Sequence, residues 1–257
     1  MKNLKKRLQA GETLHGCWLN LGSPLTAEII GLSGFDWVLI DLEHGSGSEA
    51  VAMNQIQGLE HTGAGIVVRS ESTELARIQR ILDMGPEGIM CPKISNAEQA
   101  KRQVSALYYP PVGQRGVAKM VRAAQFGPNF QKYHDASQEN VLGVVQIETR
   151  EALDHLDEIA NVKGVDVLFI GPSDLTMELG IFGQFDNLVY LDAVRKTVAA
   201  ATKAGKATGI LFFNPDEYIK YHQLGIRFIA CGSDGAFIVD GAKNRVEKLA
   251  SLRASGK

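Results

Sequence analysis

The chain has 257 residues, a formal net charge of −2 from 27 basic and 29 acidic side chains, and 45% hydrophobic residues. This composition is typical of a globular protein and excludes a collagen-like, mucin-like or wholly disordered chain. The near-neutral charge offers no basic excess for a phosphate backbone and no apolar run approaches the ~20 residues that span a bilayer, so we expect neither a nucleic-acid nor a membrane partner.

The basic segment at residues 1–8 has no apolar run behind it and predicts a short amphipathic helix. After it, short apolar runs alternate with longer amphipathic ones. Eight runs predict β-strands: Leu14–Leu19, Trp37–Leu42, Gly65–Arg69, Gly88–Cys91, Leu142–Ile147, Asp166–Ile170, Ala207–Phe212 and Arg227–Cys231. Most are apolar throughout, as in parallel strands that are covered on both faces.

The segments between these strands carry helix signals. Ser23-Pro24 and Asn214-Pro215 each offer an N-cap residue followed by proline at the first helical position. Further helices are predicted over Ser48–His61, Thr73–Met84, Asn96–Leu107, Leu188–Ala204 and Ala236–Leu252. Eight β–α units in about 250 residues predict an α/β fold, a single (β/α)₈ TIM barrel domain over residues 1–257, with an open doubly wound sheet as the alternative.

Two connections, Tyr108–Asn140 and Leu175–Asn187, are long for a compact barrel. We expect both at the carboxyl ends of the strands, where barrel active sites are built, as a lid or a partner-contact loop. The three cysteines Cys17, Cys91 and Cys231 lie in apolar runs without metal-ligand spacing. They indicate reduced thiols and a cytoplasmic protein.

Polar side chains at the carboxyl ends of the strands are the first candidates for chemistry in a barrel. Glu148 and Asp174 follow adjacent predicted strands, and two converging carboxylates repel each other unless a cation lies between them. An all-oxygen ligand set favours Mg²⁺ or Mn²⁺. The alternative is that each carboxylate caps the helix that follows it.

His44 and Arg69 end or follow two neighbouring strands. His44 can titrate near neutral pH and act as acid or base, with Asp83 as its supporting carboxylate; a hydrogen-bonded loop histidine and an exposed helix carboxylate are the alternatives. Arg69 can bind a substrate carboxylate or a developing enolate oxygen, and a structural ion pair is its alternative. In the strand containing Asp41 and Glu43, alternation places these two on one face.

Lys93 follows the fourth strand and could form a Schiff base with a carbonyl substrate, although a solvated loop lysine is the alternative. The turn Gly232-Ser233-Asp234-Gly235 after the eighth strand could cradle a phosphate, but its aspartate argues against an anion.

Five ordered strings together resemble the HpcH/HpaI family of class II 2-keto-acid aldolases, and the similarity runs from about Gly16 to Asp234. The strings are Asp41–His44, Val67–Arg69, Tyr109–Gly116, Gln146–Thr149 and Gly171–Leu175. The resemblance implies a barrel whose last helix is exchanged between paired subunits of a hexamer, a trimer of dimers. It also implies a divalent metal ion, Mg²⁺ or Mn²⁺ or else Co²⁺, held by Glu148 and Asp174.

The same resemblance implies the roles of the other residues. Arg69 would face the keto oxygen of pyruvate, and His44 would be the acid/base group, supported by Asp83 and Asp41. Gln146 would lie close to the metal, and backbone amides around Gly171 and Ser173 would receive the pyruvate carboxylate. Tyr108 and Ser173 stand where the family often has arginine and alanine, so the aldehyde stays open.

We therefore expect a metal-dependent aldolase that reversibly cleaves a 4-hydroxy-2-oxo acid, a keto-deoxy sugar acid or a hydroxy-keto diacid, to pyruvate and an aldehyde through a metal-stabilised enolate. One alternative is a related lyase or decarboxylase that acts on an acyl-CoA ester or oxaloacetate. The others are a Schiff-base aldolase that uses Lys93 or Lys206 and a non-catalytic barrel that binds a keto acid as a sensor.

Overall fold

A computed structural model describes residues 2–255. Eight parallel strands pair in chain order, and the last pairs with the first, so the sheet closes into a barrel. The strands are β1 (Leu14–Leu19), β2 (Trp37–Asp41), β3 (Gly65–Arg69), β4 (Gly88–Cys91), β5 (Leu142–Ile147), β6 (Val167–Ile170), β7 (Ala207–Phe212) and β8 (Phe228–Ser233). The predicted (β/α)₈ barrel is confirmed, and the open doubly wound sheet is excluded.

Helices lie before and between the strands. They are α1 (Leu4–Gln9), α2 (Pro24–Leu32), α3 (Glu49–Gly58), α4 (Leu75–Met84), α5 (Ala97–Leu107), α6 (Phe130–Asn140), α7 (Arg150–Asp154), α8 (Leu156–Ala160), α9 (Pro172–Glu178), α10 (Leu188–Lys203), α11 (Tyr218–Gln223) and α12 (Asp234–Ala254). The predicted capping at Ser23-Pro24 is confirmed, because Ser23 Oγ accepts a hydrogen bond from the amide of Thr26.

The inside of the barrel is filled by large aromatic side chains. The rings of Trp37 and Phe228 stack with their centroids 3.8 Å apart, and Phe169 meets both edge-on. Gly16 on β1 leaves the space for this stack, since a Cβ there would lie 2.1 Å from the indole of Trp37. The predicted N-terminal helix, α1, contributes Leu4 to the same cluster. The interior is therefore a packed core, and chemistry is confined to the ends of the barrel.

The segment at residues 108–140 lies at the amino-terminal end of the barrel, so its predicted place at the mouth is wrong. It connects the end of α5 to the start of β5, and Asn140 accepts a hydrogen bond from Asn3, which precedes α1, at 3.2 Å. Its helix α6 was not predicted because only Tyr133 and Ser137 are buried, too few for an apolar stripe. The second long connection does follow β6, and its first part is helical, within α9.

Helix α12 packs little of its surface on its own barrel. Of its residues only Asp234 is buried, while Ile238, Val246 and Leu249 are 55–66% exposed. The predicted exchange of this helix between subunits stays a prediction. Within residues 2–255, no helix has the length and apolar character that a membrane span requires.

Candidate active site

Arg69 is locked in place at the mouth of the barrel by two carboxylates. It ends β3 opposite Asp41, which ends β2. Its Nε and Nη2 atoms donate to the two oxygens of Asp41 at 2.9 and 2.6 Å, and Nη1 lies 2.9 Å from Glu43 Oε2. Its guanidinium also lies over the indole of Trp18, 5.7 Å from the ring centroid. Asp41 and Glu43 thus share a face, as the strand alternation predicted.

This arrangement realises the structural alternative for Arg69, an ion pair with strand-end carboxylates. Burial disfavours its cation, but the hydrogen bonds and charge of Asp41 and the charges of Glu43 and Glu148 outweigh this effect and raise the pKa of Arg69. The guanidinium is therefore permanently charged and pre-oriented. Its contact with a substrate stays a prediction.

Asp41 binds the neighbouring main chain and Arg69, and it does not bind the imidazole of His44. Its Oδ1 accepts hydrogen bonds from the amides of Glu43 at 3.1 Å and His44 at 3.3 Å, and its Oδ2 accepts one from Asn20 Nδ2 at 3.0 Å. Because the carboxylate is fully buried and used in this way, we correct its predicted role: Asp41 fixes the loop that carries His44, and supports its side chain only through the backbone.

His44 presents an open imidazole at the mouth. Its side chain is 66% exposed, and Nε2 lies 3.8 Å from Glu43 Oε1. The predicted support by Asp83 is not found within one chain. Asp83 lies in the last turn of α4, at the amino-terminal end of the barrel, and its carboxylate accepts a hydrogen bond from the buried Arg115 at 2.8 Å. His44 follows the opposite end of a strand, so the barrel itself separates the two side chains.

Glu148 directly follows β5 and carries a buried carboxylate with one free oxygen. Oε1 accepts a hydrogen bond from the amide of Lys93 at 2.8 Å, while Oε2 is buried without a partner. Burial raises the pKa of Glu148 to about 7; the charges of Asp174 and Glu43 also raise it, whereas the Lys93 amide and Arg69 lower it. A buried carboxylate that is destabilised by other carboxylates is a position that favours a cation.

Gly171 lies directly against Glu148. A Cβ at this position would be 2.4 Å from Glu148 Oε2 and 3.0 Å from Gln146 Nε2, so a side chain has no room. Its amide donates to the carbonyl of Ile147 at 3.1 Å, and the predicted binding of a substrate carboxylate by amides around Gly171 and Ser173 stays a prediction. Ser173 lies in the first turn of α9, where amides lack an acceptor within the helix, so its predicted role remains open.

The donor set at the mouth fits a divalent ion that keeps substrate or water ligands. Glu148 Oε2 and Gln146 Oε1 are buried and have no hydrogen-bond partner, and Asp174 is close enough to raise the pKa of Glu148. Within the described residues, no cluster of three or more His, Cys, Asp or Glu side chains is arranged around one point. Mg²⁺ commonly takes only one or two carboxylates and completes its shell with substrate and water oxygens. The two carboxylates of Glu148 and Asp174 are therefore enough protein ligands for such an ion.

The capping alternative for these two carboxylates is not supported. Thr149, and not Glu148, caps α7 through the amide of Ala152 at 3.1 Å. Asp174 lies in the first turn of α9 and makes no capping hydrogen bond there.

The structure does not support two other sequence hypotheses, the Schiff-base lysine and the phosphate-binding turn. Lys206 directly precedes β7 and thus lies at the amino-terminal end of the barrel, which excludes a Schiff base on it at this site. Lys93 has an exposed side chain and contributes its backbone amide to Glu148. The turn after β8 holds no phosphate cradle, since Asp234 fills it and accepts hydrogen bonds from the amides of Asn20 and Gly235 at 2.8 and 2.9 Å.

Sequence reasoning gave no role to three groups that shape the site. Glu43 binds Arg69, the amide of Lys93 binds Glu148, and Asn20 binds Asp41. Asn20 could have been found, since it is a polar residue that directly follows β1, as Glu148 directly follows β5. The Lys93 amide could not, because a backbone donor leaves no signal in residue type.

A closed barrel with a fixed arginine and converging carboxylates at its mouth places groups that can stabilise a developing oxyanion where barrel enzymes bind their substrates. The sequence profile of the HpcH/HpaI aldolase/citrate lyase family matches residues 14–240, and the chain belongs to this family. The resemblance drawn from the five sequence strings is confirmed.

Curated relatives and solved structures agree with this membership. The hydroxypyruvate/pyruvate aldolase of Agrobacterium fabrum is 39% identical over 230 residues, which are 90% of this chain and 86% of that protein. The 4-hydroxy-2-oxo-heptane-1,7-dioate aldolase of Shigella flexneri is 34% identical, and the match covers 94% of this chain and 90% of that protein. A crystal structure of a family member from Burkholderia cenocepacia superposes with a TM-score of 0.93 at 32% identity, over 97% of this chain and all of that one. The chain is an aldolase, a carbon–carbon lyase.

Proposed function

We propose that this protein cleaves a 4-hydroxy-2-oxo acid reversibly to pyruvate and an aldehyde, by metal-dependent class II aldolase chemistry. The observation that carries the proposal is the buried Glu148 carboxylate, whose Oε2 has no partner and whose pKa is raised to about 7 by burial and by nearby carboxylates. Relatives named as aldolases for hydroxypyruvate, pyruvate and a 4-hydroxy-2-oxo diacid support the substrate class.

Glu148 and Asp174 would hold the ion, Mg²⁺ or Mn²⁺ or else Co²⁺, since both offer the hard oxygen ligands that these ions accept. When bound, a divalent ion supplies Lewis-acid stabilisation of the enolate oxygen of pyruvate. Gln146 Oε1, buried and without a hydrogen-bond partner, would orient a water or substrate hydroxyl beside the ion.

Arg69 would stabilise the same developing oxyanion from the side of β3. Its orientation is set before substrate arrives, because Asp41 and Glu43 hold three of its nitrogen atoms. A preorganised donor of this kind needs no reorganisation as charge develops in the transition state. The amide of Ser173 would receive the pyruvate carboxylate.

His44 would take the proton of the C4 hydroxyl during cleavage and return it during condensation. Its exposed imidazole can reach an incoming substrate, and the backbone of its loop is held by Asp41. The aldehyde leaves as the C3–C4 bond breaks, and the electron pair of that bond becomes the enolate that Arg69 faces.

Replacement of His44 by alanine is expected to lower turnover by roughly 10²–10⁴-fold, the usual contribution of a general acid/base group. Thermal stability should hardly change, since the side chain is largely exposed. Steady-state pyruvate release measures the effect, and His155→Ala, at another exposed histidine, is the control. Unchanged aldol turnover in His44→Ala would refute the assignment.

The proposed function is tested with a panel of substrates, by pyruvate release for every substrate except the acyl-CoA ester, whose cleavage is followed by loss of the ester. Keto-deoxy sugar acids and hydroxy-keto diacids represent the aldol class, and oxaloacetate and an acyl-CoA ester represent the related lyase and decarboxylase chemistries. We expect pyruvate from at least one aldol substrate. Turnover restricted to oxaloacetate or the acyl-CoA ester, or keto-acid binding without any turnover, would contradict the proposal.

Assembly and location belong to the same proposal. An exposed apolar face is formed on α2 by Leu25, Ile29 and Leu32, each 63–70% exposed, and large exposed faces of this kind favour association. Together with the uncovered helix α12 it supports a homo-oligomer of barrel domains that exchange this helix, as a hexamer. Three cysteines without disulfides support a cytoplasmic location.

A further inference from the structure

Asn20 connects three parts of the mouth. Its side chain donates from Nδ2 to Asp41 Oδ2 at 3.0 Å, its carbonyl accepts from the amide of Ser46 at 2.8 Å, and its own amide donates to Asp234 Oδ1 at 2.8 Å. Asp41 is the residue that binds Arg69, and Ser46 lies two residues after His44 in the same loop. A single residue at the end of β1 is thus bonded to the supports of both proposed reactive groups.

Asp234 holds the other side of this connection. Its carboxylate is buried and accepts from the amides of Asn20 and Leu21, at 2.8 and 3.4 Å, and from Thr26 Oγ1 at 2.8 Å. Asp234 is also the first residue of α12, and Thr26 lies in the first turn of α2. The carboxylate therefore fixes the β1–α2 connection against the start of the C-terminal helix.

We infer that Asn20 and Asp234 are positioning residues of the aldol reaction: Asp234 fixes Asn20, Asn20 fixes the carboxylate of Asp41, and Asp41 orients Arg69 and the backbone of His44. This inference rests on the proposed function. Among the described residues, two side chains donate to Asp41 Oδ2, those of Arg69 and Asn20, so the Asn20 amide fixes the oxygen that orients Arg69.

A negative charge introduced at position 20 distinguishes a positioning role of Asn20 from a role in packing alone. Asn20→Asp keeps the shape of the side chain but replaces a donor by a carboxylate that faces the carboxylate of Asp41 and competes for Arg69. Displacement of a reacting group by about 1 Å can cost 10²-fold in rate. We therefore expect kcat to fall about 100-fold in Asn20→Asp and about tenfold in Asn20→Ala, with KM changing less than kcat.

A charge swap supplies the rescue. In the double variant Asn20→Asp/Asp41→Asn, one amide and one carboxylate again face each other and the net charge equals that of the wild type. We expect kcat of the double variant to be at least tenfold higher than kcat of Asn20→Asp. Asp234→Asn, which keeps the size of the side chain and removes its charge, should lower kcat about tenfold through the loosened amides of Asn20 and Leu21.

The experiment measures kcat and KM for pyruvate release, exchange of the methyl protons of pyruvate with D₂O by NMR, and thermal unfolding of every variant. Asn3→Ala is the matched control, since it removes two side-chain hydrogen bonds at the opposite end of the barrel and should stay within twofold of wild-type kcat. Proton exchange reports the enolate that Arg69 faces, so positioning predicts that it falls together with kcat.

The relative kcat values of the variants decide between positioning and packing. Equal kcat in Asn20→Ala and Asn20→Asp, no recovery in the charge swap, or losses that only track the folded fraction would overturn the inference. Should Asn20→Asp not fold, Asn20→Ala and Asp234→Asn still test it, and kcat within twofold of wild type in both would refute it. A wild-type chain without any aldol turnover would instead overturn the proposed function.

Discussion

Replacement of Glu148 by glutamine is expected to lower pyruvate release by about 10³-fold or more, because loss of a Lewis acid costs several kcal/mol of transition-state stabilisation. Glutamine has nearly the same shape but supplies a neutral ligand where a divalent ion needs charge. The stability of the folded chain should not decrease. The carboxylate is buried with one oxygen unpartnered, and burial raises its pKa to about 7, so a neutral side chain should maintain or increase the free energy of unfolding.

Two measurements make this prediction specific. In the wild type, Mg²⁺ or Mn²⁺ should raise the unfolding temperature by binding the folded state, and Glu148→Gln should lose that shift. Glu139→Gln, at an exposed carboxylate beside Lys6, should keep both the shift and the activity. Wild-type activity in Glu148→Gln, or an undiminished metal-induced shift, would remove Glu148 from the proposed metal site.

Replacement of Arg69 by lysine is expected to lower kcat by roughly 10²–10³-fold, the usual loss when one oxyanion donor is removed. Lysine keeps the charge but not the planar fork that binds both oxygens of Asp41. It also leaves the buried carboxylate of Asp41 and the half-buried carboxylate of Glu43 with fewer hydrogen bonds. A broken buried ion pair costs about 3–5 kcal/mol, so chemical denaturation should show a clear loss of stability.

A second substitution separates these two effects. Asp41→Asn in the Arg69→Lys background removes the stranded charge, so it should restore part of the stability and none of the activity. Arg7→Lys is the control, since Arg7 on α1 also pairs with two carboxylates, Glu12 and Asp36, at the amino-terminal end of the barrel. An Arg69→Lys enzyme within tenfold of wild-type kcat would contradict the role of Arg69 at the oxyanion.

The barrel could be predicted because its strands are short apolar runs between clear turn signals. All eight were found, and β2, β6 and β8 differ from prediction by one or two residues at their ends. Helices that bury little were harder. Helix α6 lacks an apolar stripe, and the chain between β5 and β6 breaks at His155 into two short helices, α7 and α8. Local apolar periodicity finds an element only when that element packs a continuous face.

The sequence predicted which strand ends carry the residues of the candidate site, but it predicted fewer of the contacts between these residues. Arg69, Glu148 and His44 lie at the mouth because residues that end parallel strands of a barrel gather at one edge. Within one chain Asp83 lies away from His44, because helices run antiparallel to strands and the end of α4 lies at the other face. The hydrogen bond from the amide of Gly171 to Ile147 was not predicted, since strand pairing beyond the strand end cannot be seen in the sequence.

Metal dependence of retro-aldol cleavage tests the central claim most directly. The protein is treated with EDTA, desalted, and assayed for pyruvate release from the best 4-hydroxy-2-oxo acid before and after addition of Mg²⁺, Mn²⁺ or Co²⁺. The account predicts that EDTA abolishes turnover, that at least one of these ions restores it, and that no ion restores it in Glu148→Gln. Turnover that survives EDTA, together with borohydride trapping of pyruvate on a lysine such as Lys93, would contradict it.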